Sequence, residues 1–172
     1  MLSERAGIRR QNAVEARFDV LTYSTPPLTE SVEATGPVRA VLYVATDAPT
    51  TDFTAKLVDV YPDGSAYNLS DGIWRQTYDV APGSPAAGEN VVRIEIALWP
   101  VGNVFFKGHR IRLEISSSNF PRYDRNLNTG EFAPTATRIV VAHQKLFHSR
   151  LYPSRVILPL IPRSEDGLQA RE

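Results

Sequence analysis

The sequence predicts an all-β chain folded as a two-sheet antiparallel sandwich, a jelly roll. Short β-branched runs alternate apolar with polar residues, the period of a strand with one buried face. Turn residues punctuate them roughly every 8–12 positions, and no stretch carries a helical period beyond a turn or two. About eight or nine strands result, with no internal repeat.

The elements follow in order. Residues 1–16 are polar, with Arg5, Arg9 and Arg10, and read as a lead-in. Arg17–Ser24 is the first expected strand, stopped by Thr25-Pro26-Pro27, and Leu28–Gly36 crosses over. Val38–Ala45, bounded by Pro37 and Asp47-Ala48-Pro49, is apolar throughout and reads as a central strand buried on both faces. Phe53–Tyr61 alternates until Val58 and Val60 switch the pattern. Pro62-Asp63-Gly64 then turns it into Ser65–Leu69, Pro fixing one dihedral and Gly supplying a positive φ. Ser70-Asp71-Gly72 reads as a further turn into Ile73–Val80, and Ala81–Asn90 as a Pro/Gly loop.

Val91–Trp99 places Val92, Ile94, Ile96 and Leu98 inward and Arg93, Glu95 and Trp99 outward. A short Val104–Phe106 piece leads to the strand opened by Gly108, whose Ile111, Leu113 and Ile115 alternate with Arg110, Arg112 and Glu114. Phe120-Pro121 closes it, and a loop runs on to Pro134. Thr137–Leu146 and Ser154–Leu160 are the last β-rich runs, so the folded unit is 17–162 and residues 163–172 form a polar tail.

Composition narrows function. With 172 residues the chain can bury a full core. Lysine plus arginine balances aspartate plus glutamate at 19 each, so no net field favours nucleic acid or an anionic membrane. Cysteine is absent, which excludes disulfides and thiolate chemistry. No apolar run approaches the roughly 20 residues that span a bilayer, and the N-terminus lacks the apolar core of a secretory signal, so a cytoplasmic location is expected.

No catalytic residue emerges. Gly-x-Ser-x-Gly, the strained elbow that presents a nucleophilic serine, is missing. His109 shares the inward parity of Ile111 and reads as a partly buried imidazole bonded to a loop carbonyl. His143 and His148 are spaced for no shared face. Asp59, Asp63, Asp71 and Asp79 read as turn formers rather than ligands, so neither a metal nor a cofactor is expected. Asn68-Leu69-Ser70 matches a glycosylation sequon, a weak pattern.

The loop after the Gly108 strand is the most distinctive stretch. Arg122, Tyr123, Arg125 and Asn126 stand within five positions behind a Ser-Ser-Ser-Asn run. Fork donors, an aromatic ring and an amide at that density suit a surface set against a polar partner. A loop that ties down its own backbone, with Asn126 and Asn128 as turn residues, explains them equally well.

Leu21-Thr22-Tyr23-Ser24, Val32–Val38, Asp52–Gly64, Asn68–Ile73, Gly108–Arg112, Ser116–Asn126 and Ser154–Pro159, in this order, resemble the C-terminal domain of the X-Pro dipeptidyl-peptidase and cocaine esterase group of serine hydrolases. The resemblance runs from about Asp19 to Pro162. It implies a galactose-binding-domain-like jelly roll that braces an α/β-hydrolase domain and helps wall its substrate cleft. The Ser-His-Asp triad would lie in that domain, so no catalytic residue carries over. The group's members hydrolyse acyl esters or peptides after an X-Pro unit. His109, Arg110, Asn119, Phe120, Arg122, Tyr123, Arg125 and Asn126 are then the expected inter-domain or cleft contacts, Arg and Tyr being common anchors. A homo-oligomer through an exposed sheet edge is a second expected association. The alternative function is a carbohydrate-binding module using Trp74 and Trp99, since sugars stack on exposed aromatic faces. A small esterase built on His109 and a nearby serine ranks below both.

Overall fold

Nine strands and one helical turn make up residues 7–77, 91–131 and 137–162, the part of the chain that the computed structural model describes. The helical turn α1 is Asn12–Glu15, and the strands are β1 Leu21–Ser24, β2 Val32–Thr46, β3 Thr50–Val60, β4 Ala66–Thr77, β5 Val92–Phe105, β6 Arg110–Ser116, β7 Gln144–Phe147, β8 Arg155–Ile157 and β9 Leu160–Ile161. One sheet has the order β1-β6-β3-β4. The other is centred on β2, with β5 along one side and β7, β8 and β9 in succession along the other. Every pairing is antiparallel. The expected two-sheet sandwich is what forms, and its strand order is consistent with a jelly roll.

The core follows the alternation in the sequence. Val38, Ala40, Leu42 and Val44 of β2 join Ile94, Ile96 and Leu98 of β5, and pack against Phe53, Ala55 and Leu57 of β3 and Leu113 and Ile115 of β6. Each fully buried Leu, Ile or Phe among them contributes about 1.5–3 kcal/mol relative to exposure. Beyond Leu57 the β3–β4 register shifts at a bulge. Val58 and Val60 then form a second, outer-face cluster with Ala66, which accounts for the late switch in the sequence pattern.

That outer face is covered. Residues 9–12 run along β4: Gln11 N donates to Ala66 O at 2.8 Å, Asn68 N to Arg9 O at 3.1 Å, and Arg9 N to Asn68 Oδ1 at 2.7 Å. α1 lies over the sheet beyond them, with Arg112 Nη1 on Glu15 Oε2 at 2.6 Å and Lys56 Nζ on Gln11 Oε1 at 3.3 Å. Residues 9–15 of the segment that reads as a polar lead-in therefore form a strap, and Glu114, on the face that reads as charged, is buried beneath it.

Other boundaries differ for local reasons. β1 begins only at Leu21, because the backbone turns before it, with Arg17 N donating to Val14 O at 3.1 Å and Val20 N to Arg17 O at 3.3 Å. β2 extends back to Val32, through a bulge between Gly36 and Val38 that accommodates Pro37 without a ladder donor. Ser70-Asp71-Gly72 is not a turn: β4 runs unbroken, Ser70 Oγ donates to Trp99 O at 2.5 Å, and a Cβ on Gly72 would collide with the Ala97 carbonyl. That glycine marks close approach of two backbones, not a reversal. Val104 and Phe105 belong to β5. Residues 137–143 are not strand, and the last β-rich run splits into β8 and β9. The turn at Gly64 is as expected, with φ +84° and Gly64 N donating to Tyr61 O at 2.9 Å. The Ala81–Asn90 loop, Asp79 and the polar tail lie outside the described residues. Among the described residues no helix is long and apolar enough to cross a membrane.

Candidate docking site

Two carboxylates on the outer face of the β1-β6-β3-β4 sheet organise the site. Asp52 of β3 and Asp71 of β4 are buried, and a buried carboxylate is tolerated only with partners. Arg75, on the neighbouring strand, clamps Asp52 with two bonds of 2.8 and 2.9 Å and reaches Asp124 at 3.3 Å. Those bonds, Asp52 first, hold the Arg75 guanidinium pKa above its ordinary value. The loop supplies the rest. Asn119 Nδ2 donates to Asp71 Oδ2 at 2.9 Å, Arg122 Nε lies 3.2 Å from Asp71 Oδ1, and Asn126 Nδ2 donates to Asp52 Oδ1 at 2.9 Å and to Thr50 Oγ1 at 3.2 Å. Asn128 N caps onto Asn126 Oδ1 at 2.9 Å, with Asn128 at φ 61°.

Self-bracing and display thus coexist in one loop. Asn119, Asn126 and part of Arg122 are engaged by the sheet, whereas Phe120, 55% exposed, and Arg125 are exposed and Tyr123 is half-buried. The Arg125 guanidinium lies 4.6 Å from the Phe120 ring centroid. That of Arg122 lies 6.0 Å from Trp99 and 5.8 Å from Tyr123, at the outer limit of cation–π attraction. The outcome is an exposed strip of aromatic faces and guanidinium edges, positioned by buried charge.

His109 and Arg110 do not join it. They stand at the opposite end of β6, about 20 Å away at the usual rise of a strand. Arg110 Nη1 donates to Thr25 O at 3.0 Å. His109 is buried with Nδ1 2.9 Å from Asp59 Oδ1, so its partner is a carboxylate on the adjacent β3 and not the loop carbonyl expected. The rings of Tyr61 and Phe106 pack around it at 4.3 and 5.8 Å. Among the described residues no serine hydroxyl bonds to it.

Asp59 and Asp71 lie within strands, contrary to their reading as turn formers; Asp63 does form its turn, accepting from Ser65 N at 2.9 Å. Among the described residues no three His, Cys, Asp or Glu side chains gather where a metal ion could sit. Trp99 is 62% exposed on β5, and Trp74, 41% exposed on β4, donates its Nε1 proton to Gln76 at 3.0 Å. No ring contact joins the two among the described residues.

The partners of the loop were not apparent from the sequence. Asp52 and Arg75 each have outward parity on their strands, which is a signal of a charged pair, but only the β3–β4 register sets them opposite one another.

Fold and site together define an antiparallel two-sheet β-sandwich module with a surface loop braced by buried carboxylates. The chain belongs to the family described as the X-Pro dipeptidyl-peptidase C-terminal non-catalytic domain, whose model matches residues 5–157. It is 46% identical over 158 residues to the cocaine esterase of Rhodococcus sp. (strain MB1 Bresler), an alignment covering 89% of this chain and 27% of the esterase. Among solved structures it is similar to an aminopeptidase from a marine sediment Thaumarchaeota archaeon, with TM-score 0.78, 31% identity, and 90% and 28% of the two chains covered. An α-amino acid ester hydrolase matches with TM-score 0.78 and 29% identity, covering 90% of this chain and 27% of that one. The chain thus spans about a quarter of each of these relatives, and the resemblance read from its motifs holds.

Proposed function

We propose that this domain braces an α/β-hydrolase catalytic domain of the acyl esterase or X-Pro dipeptidyl-peptidase kind and helps wall its substrate cleft. One observation carries the reading: the Asn119–Asn126 loop is fixed to buried carboxylates while Phe120 and Arg125 are exposed and Tyr123 is half-buried beside them. A pre-ordered loop loses little entropy on docking, and exposed Arg and aromatic side chains are the usual anchors of such contacts. The relatives that contain this domain are esterases or a peptidase by name, which supports a hydrolase as the partner.

The test is titration of the domain into a separately produced hydrolase portion of the Rhodococcus esterase, followed by calorimetry. Tyr123→Ala and Arg125→Ala should each weaken association about tenfold, the scale of one anchor residue. Unchanged binding by both variants means that the loop only braces itself. The exposure of Trp99 favours a second reading, a sugar-stacking module. Tryptophan fluorescence that is indifferent to a panel of glycans removes it.

A further inference from the structure

The strap covers the outer face of the sheet without joining the core. No residue of 9–15 belongs to a hydrophobic cluster, and of these residues only Gln11 is buried. What holds the strap is polar. Gln11 N donates to Ala66 O and Asn68 N to Arg9 O, while the Asn12 side chain donates to Gly64 O at 2.8 Å and accepts from Ala66 N at 3.1 Å. Such bonds exchange for bonds to water at small net cost, so the strap can open while the sandwich stays folded. The turn at residues 16–20 is where it would swing, since beyond it Leu21–Ser24 is paired along β6.

Beneath the strap two carboxylates meet. The Glu15 side chain of α1 is 9% exposed and Glu114 of β6 is 3% exposed, and Oε1 of each is without a hydrogen-bond partner. The cations around them are already engaged. Arg112 Nη1 bonds the other Glu15 oxygen at 2.6 Å, Lys56, opposite Glu114 on β3, donates to Gln11, and Arg17 pairs with Asp19. Opposite Glu114 on β1 stands Thr22, which carries no charge. Two ionised carboxylates in such a place repel; with one proton between them, one carboxyl donates to the other and both orphan oxygens are met. Burial first, opposed by Lys56 and reinforced by Glu15, raises the Glu114 carboxyl accordingly. We infer that residues 9–15 are a proton-operated latch, closed while Glu15 and Glu114 share one proton and swung off the sheet when that proton passes to water. Opening bares Glu114, Lys56 and the backbone of β4 at Ala66 and Asn68, which the strap otherwise occupies. The direction follows from where the proton is held more tightly. In the closed site the carboxyl keeps it to a higher pH than in solvent, so alkali favours the open strap.

The test is residue-resolved amide exchange of the whole chain at about pH 5.5 and about pH 8.5, corrected for the intrinsic pH dependence of exchange. Protection of the Gln11 and Asn68 amides should lie about a hundredfold or more below that of Ala55 and Leu113 in the core strands. It should be insensitive to low concentrations of urea, the mark of an opening that exposes little surface. Between the two pH values it should fall about tenfold or more. Glu114→Gln, whose amide donates but cannot ionise, should hold the strap shut and make both amides indifferent to pH. Glu15→Gln removes the second charge from the strap side and should shrink the response likewise, so that loss of the fold in the first variant leaves the second to decide. Gln11 and Asn68 amides that exchange only together with Ala55 and Leu113 overturn the inference, because the strap then opens only when the whole chain unfolds. Equal protection at the two pH values in the unsubstituted chain overturns it as well, as does a full pH response in both variants.

Discussion

Asp52 shows how one buried charge fixes a surface loop. It is 1% exposed, and its two oxygens are met by Arg75 from β4 and Asn126 from the loop. Removing either partner leaves an acceptor short of donors, but the two losses differ in kind. Asn126→Ala deletes three neutral-donor bonds, two donated by its amide and one accepted from Asn128 N, at about 1–2 kcal/mol in all, and should act mainly on the loop. Arg75→Ala leaves a buried carboxylate without its counter-charge and also frees Asp124. Because Arg75 is itself partly exposed, the cost should fall at or below the low end for a buried pair, about 2–3 kcal/mol. Urea unfolding should show both drops, with faster amide exchange in the Asn119–Asn126 loop in both variants. If Asn126→Ala proves the more damaging, the charge is not what organises the site. Of this cluster the sequence displayed the loop half, since Asn126 and Arg122 lie in one short run. The strand half was hidden, because Asp52 and Arg75 become neighbours only through register.

At the scale of the element, the strap decides a titration. Glu114 on β6 is buried under α1, where it faces Glu15 of α1, Lys56 of β3 and Arg112 of its own strand. Glu15 Oε1 and Glu114 Oε1 are both buried without a hydrogen-bond partner. A proton on Glu114 serves both, since the carboxyl can then donate to Glu15. Burial first, opposed by Lys56 and reinforced by Glu15, pushes the Glu114 carboxyl up to about 7 from an ordinary 4.5. A carboxyl raised on folding binds its proton more tightly in the native state. Its contribution is therefore complete below about pH 4.5 and disappears as pH rises through about 7. Urea midpoints should accordingly fall between pH 5 and pH 8, by an amount on the order of a few kcal/mol at most. Glu114→Gln, which keeps a donor and cannot ionise, should flatten that slope and slow exchange in residues 9–16 at pH 8. A slope that persists in the variant places the titration elsewhere. Nothing local in the sequence marked this pair: the alternation of β6 put Glu114 on the correct face, but not the strap that covers it.

For the whole molecule, period-two alternation was enough to reveal a sandwich, because inward residues such as Ile94, Ile96 and Leu113 must share one interior. It failed where β propensity had no partner strand, at residues 137–143, and where a turn-like tripeptide served packing, at Ser70-Asp71-Gly72. Gly72 tests the second case. Its strand is extended and needs no special dihedral, so an alanine there is opposed only by the Ala97 carbonyl and the Ile96 side chain. Gly102, on β5, has nothing within 4 Å of the position a Cβ would take. Gly72→Ala should therefore cost about 1–3 kcal/mol by forcing β4 away from β5, whereas Gly102→Ala should be neutral or slightly stabilising through the unfolded chain. Thermal melts of the two variants supply the comparison. Equal melting temperatures would mean that β4 and β5 spread at no cost, and that Gly72 does not mark a close approach of the two sheets.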